Sequence, residues 1–82
     1  MDAITALSNI ESLLISSSRY NVRAARHVLK EVEPNLSTSE RPIFNLLGSH
    51  LDALELDNHP TVITLTLALI CQAELLLITN RH

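Results

Sequence analysis

Cysteine occurs once in this chain, at Cys71, which excludes an intrachain disulfide. No CxxC or HExxH spacing is present, so the ligand patterns of a structural or catalytic zinc site are missing. Glycine also occurs once, at Gly48, and proline three times. Hairpins and tight turns need residues that tolerate positive φ, and a chain this poor in glycine is better suited to helices. A phosphate-cradling loop is excluded on the same ground, and the nucleophile-elbow pattern GxSxG is absent as well. Aromatic residues make up 2% of the chain, Tyr20 and Phe44 alone. That is too few for the stacking platforms on which proteins bind single-stranded nucleic acid. The opening residues Met1–Ile4 lack the basic stretch of a secretory signal. Together with the lone cysteine, this leads us to expect a reducing, cytoplasmic setting.

What is present fits one small globular domain over residues 1–82. The chain is 46% hydrophobic and 18% charged, with a formal net charge of −3. Disorder is disfavoured by that balance, and so is general affinity for nucleic acid. A chain of 82 residues buries a modest fraction of its surface and is marginally stable alone. With disulfide and metal unsupported, oligomerisation is the remaining way to stabilise it.

The apolar pattern predicts an all-α fold, a three- or four-helix antiparallel bundle completed by homodimerisation. From Asp2 to about Ser16, Ala3, Leu7, Ile10 and Leu14 recur at helical spacing, and Asp2 is placed to cap the first turn. Ser16–Ser18 reads equally as a break or as the polar middle of one helix reaching Val32. Residues 19–32 carry Val22, Ala25, Val28, Leu29 and Val32 on one face. Pro34 stops this helix near Glu33. The next helix is expected to start with Ser39 as its cap, in preference to the capping box Ser37-x-x-Glu40, which would push Pro42 deeper into the helix. Its core face is Ile43, Phe44, Leu47, Leu51 and Leu54, and its end lies near Asp57. Gly48 inside it costs about 1 kcal/mol relative to alanine, which points to close approach of another helix or to a kink. A turn follows, with Asp57 or Asn58 as cap and Pro60 in the first turn of the last helix.

That last segment, residues 61–78, is the most distinctive. Thirteen of the seventeen residues from Val62 to Ile78 are apolar. Residues 63–69 alternate like a strand, but no partner strand exists elsewhere to satisfy one, so a helix is predicted. It is apolar all round, as buried or membrane-spanning helices are. Gln72, Glu74 and two threonines, with no basic cluster or aromatic belt flanking the segment, argue against a membrane span. Val62, Leu65, Leu69, Ala73 and Leu76 are expected to face the chain's own core. Ile63, Leu67, Ile70 and Leu77 are expected to form the dimer interface. Cys71, within this run, reads as a buried small hydrophobe.

Four of the six Lys and Arg residues, Arg19, Arg23, Arg26 and Lys30, form one stripe of the second segment. The stripe is the candidate partner-binding site, directed at an acidic protein surface or at phosphates. A solvated face is the plainer account. A third account starts from the absence of Lys and Arg between Ile43 and Asn80, where Asp52, Glu55, Asp57 and Glu74 lie. On that account the basic and acidic parts pair within the fold or between subunits. His50, Asp52, Glu55, Asp57 and His59 cluster near the last turn, but capping and solvation of helix ends explain them better than metal binding does. No cofactor is implied. The expectation is a small non-enzymatic regulatory, inhibitor or adaptor protein that contacts itself and an unidentified protein partner. A DNA-associated regulator using the basic stripe is the alternative.

Overall fold

The computed structural model describes residues 2–16 and 19–80, the side chains of 19 and 20 apart. Four helices follow one another: α1 (Ala3–Ile15), α2 (Arg19–Val32), α3 (Arg41–Leu56) and α4 (Pro60–Asn80), with a short 3-10 turn at Glu33–Asn35 after α2. Residues 2–32 therefore form two helices, although Ser17 and Ser18 lie outside the described residues. The alternating run 63–69 is helical throughout.

Local chemistry sets each boundary. The Asp2 carboxylate accepts the Thr5 N–H at 2.7 Å, satisfying one of the orphan donors at the start of α1. Pro34 ends α2 in a tighter turn, closed by the Leu36 N–H on the Glu33 carbonyl at 3.2 Å. The entry to α3 differs from the expected Ser39 cap. Glu40 reaches back to accept the Ser37 N–H at 3.0 Å, which is one half of the capping box. The Ser37 carbonyl also accepts from both Glu40 and Arg41. These bonds close a turn before the helix, so Pro42 still falls at its second position, where a missing N–H costs little. The cap of α4 is neither Asp57 nor Asn58 but His59. Its carbonyl accepts the Ile63 N–H at 3.1 Å, and its ring Nδ1 accepts the Thr61 N–H at 3.1 Å. Pro60 takes the first helical position.

The helices form a ring in which α1 packs on α2, α2 on α3, α3 on α4, and α4 back on α1. Cross-helix bonds fix the directions. Arg23 and Arg26, early in α2, reach Glu55 and Asp52, late in α3, so these helices are antiparallel. Asn80 at the end of α4 donates to the Ser39 hydroxyl at the start of α3, at 3.1 Å, which makes that pair antiparallel too. The expected inward faces of the first three helices are buried: Leu7, Ile10 and Leu14 from α1, Val22, Leu29 and Val32 from α2, and Phe44, Leu47, Leu51 and Leu54 from α3. Val28 and Ile43 pack on their margin. Leu36, beyond the 3-10 turn, closes one end.

Gly48 is buried where α2 crosses α3. A Cβ there would sit 3.3 Å from Arg26 Nη1 and 3.4 Å from Leu29 Cδ2, so close approach of a second helix accounts for the glycine.

Candidate functional site

Two surfaces compete: the basic stripe of α2 and the outward side of α4. On the stripe, Arg23 Nε lies 2.9 Å from Glu55 Oε1. Arg26 Nη1 lies 3.1 Å from Asp52 Oδ1 and donates to the Gly48 carbonyl at 2.9 Å. Lys30 is exposed in the last turn of α2, where its charge complements the helix dipole. The side chain of Arg19 lies outside the described residues. The basic and acidic parts of the chain thus meet within one fold, along the α2–α3 seam. Beside that seam Arg23, Arg26, His27, Lys30 and Glu55 line an open groove of about 230 Å³, smaller than the roughly 300–1,000 Å³ of pockets that enclose small molecules.

The polar cluster at the end of α3 is also committed locally. His50 Nδ1 donates to the Leu46 carbonyl at 2.8 Å, Asp52 and Glu55 hold the two arginines, and His59 caps α4. Among the described residues no three His, Cys, Asp or Glu side chains converge as metal ligands would.

On α4 the stripes fall differently from the expectation. Ile70 and Leu77, expected at the dimer interface, are buried in the chain's own core. Ile63 and Leu67, expected with them, pack half-buried on its margin. Leu69 and Ala73 are buried as expected, but Leu65, assigned to the core, is 54% exposed. Cys71 is exposed rather than buried. The physical reason is that α4 touches both α1 and α3. Two flanking neighbours cover one broad inward arc that takes parts of both supposed stripes and leaves a third side bare. Thr66, wholly buried, is satisfied by its own helix, its hydroxyl donating to the Val62 carbonyl at 2.7 Å.

The bare side carries Thr61, Leu65, Ala68, Gln72 and Leu75 along its length, with Cys71 and Ile78 beside them. Leu75 and Ile78 are 65% and 48% exposed, and neither belongs to an expected stripe. No exposed residue of α4 is charged; its one charge, Glu74, is half-buried on a flank. The helix is long and apolar enough to cross a membrane by length and composition, and only 28% of its most apolar 18-residue stretch is buried. A signal for the bare side does exist in the sequence. Thr61, Thr64, Gln72 and Thr79 share one side of the helix, opposite Ile70 and Leu77, and only Thr66 and Glu74 blur that phase. Compared with protein-family models, curated proteins and solved structures, the chain matches none.

Proposed function

We propose that this chain is a non-enzymatic interaction protein that works as a homodimer and serves a partner protein as regulator, inhibitor or adaptor. The observation that carries this reading is the uncharged, largely apolar outward side of α4. Fully burying a large aliphatic side chain is worth about 1.5–3 kcal/mol, and Leu65, Leu75 and Ile78 keep about half or more of their surface in water, so covering them favours association. A lipid bilayer is the poorer cover. Leu69, Ile70, Ala73 and Leu77 are already buried in the chain's own core, and α4 carries Glu74, whose charge is costly in hydrocarbon. The reading also fits a cytoplasmic setting, where an exposed thiol such as Cys71 stays reduced.

The basic stripe supports a nucleic-acid role less well, because Arg23 and Arg26 already face carboxylates and little net charge is left for phosphates. Arg23, Lys30 and His27 at the rim of the groove remain the better place for an acidic protein partner. Light scattering across a dilution series tests the homodimer. A mass near twice the 9.1 kDa of one chain is expected at the concentrated end, and a single-chain mass at every concentration would overturn it.

A further inference from the structure

The exposed central row of α4 has a spacing that is the same from either end. It comprises Thr61, Leu65, Ala68, Gln72, Leu75 and Thr79, all exposed. The steps along it are 4, 3, 4, 3 and 4 residues, a pattern unchanged by reversal about residue 70. The residue types nearly reverse as well, Thr-Leu-Ala from one end and Thr-Leu-Gln from the other. At about 3.6 residues per turn the row stays within an arc of roughly 80°. Alternating steps of four and three are those of a helix seam that packs lengthwise on another helix.

We infer that the occupant of this side is a second copy of the chain, docked with the two α4 helices antiparallel and the two-fold axis crossing the row midway between Ala68 and Gln72. The inference rests on the homodimer proposed above and gives it a register. Leu65 of one copy lies opposite Leu75 of the other, and symmetry repeats the contact. Thr61 meets Thr79 at both ends, and Ala68 meets Gln72 near the axis, a small residue beside a long one. A two-fold contact demands a surface complementary to itself, which this reversible row supplies and an unrelated partner would not require. Because the row holds no charge, two identical faces meet without like-charge repulsion. A parallel pairing would set each residue against itself, Ala68 on Ala68 and Gln72 on Gln72, with a gap at one level and crowding at the next.

Site-directed cross-linking tests the register. In a Cys71→Ser background, chains carrying Ala68→Cys and chains carrying Gln72→Cys are oxidised separately and as a mixture. Both substitutions lie at exposed positions, and circular dichroism checks that the helices persist. A covalent dimer several-fold more abundant in the mixture than in either chain alone is expected. Equal cross-linking of each chain with itself would overturn the antiparallel register. No cross-linking in chains that light scattering finds dimeric would place the interface elsewhere and leave the homodimer standing. Single chains at every concentration would overturn both proposals.

Discussion

Arg26 and Arg23 both face carboxylates of α3, and their surroundings make them unequal. Arg26 is two-thirds buried and also donates to the Gly48 carbonyl, a second, part-buried bond that would be lost with the guanidinium. Arg23 is 63% exposed, so water and salt screen its pair. Arg26→Ala should therefore lower unfolding stability by about 1–2 kcal/mol, and Arg23→Ala by less than about 1 kcal/mol. Urea denaturation of the two variants measures the difference, and equal losses would contradict this account. Gly48 completes the arrangement. Its lack of a side chain lets α2 approach, and its carbonyl oxygen accepts from the arginine. The sequence could announce a close approach at Gly48 but not the identity of the approaching residues, because that depends on how α2 and α3 align.

At the scale of elements, boundaries that rest on one residue's chemistry were legible: Asp2 at the start of α1, Pro34 after α2, Pro60 at the start of α4. Caps that rest on competition among neighbours were not. His59 caps α4 because Pro60 fixes the first helical position and leaves the residue before it to meet the Thr61 N–H. Losing that ring acceptor in His59→Ala should cost about 0.5–1 kcal/mol, and His59→Asn should retain most of it. Thermal unfolding followed by circular dichroism reads both, and identical melting of the three proteins would remove the capping role. The phase of α4 was the larger miss. A helix apolar on every side carries little amphipathic signal, so its inward arc is decided by the neighbours it packs against. Ile70→Ala removes part of the buried core and should cost about 2–5 kcal/mol. Leu75→Ser, on the bare side, should leave the single chain's stability nearly unchanged and weaken only association. Denaturation at concentrations low enough to hold the chain monomeric separates the two effects. A loss from Leu75→Ser as large as that from Ile70→Ala would contradict the assigned phase.

Across the whole molecule, charge is segregated. The helices α1 and α4, packed side by side, carry only Glu11 and Glu74 between them, whereas α2 and α3 carry the arginines and their carboxylate partners. The fold therefore has one sparsely charged side, where we propose that a second copy docks, and one side rich in charge. Association through the uncharged side should respond little to ionic strength, whereas a contact through Arg23 and Lys30 should weaken steeply as salt screens it. The four-helix, all-α plan was open to reading because three amphipathic stripes and one apolar helix can bury themselves in few other ways. The face left for a partner was not, since it is defined by what the other helices fail to cover. The most direct test is sedimentation equilibrium of the native chain beside the double variant Leu65→Glu, Leu75→Glu. The account predicts a native dimer and a folded, monomeric variant. A native monomer, or a variant that dimerises as tightly as the native chain, would contradict it.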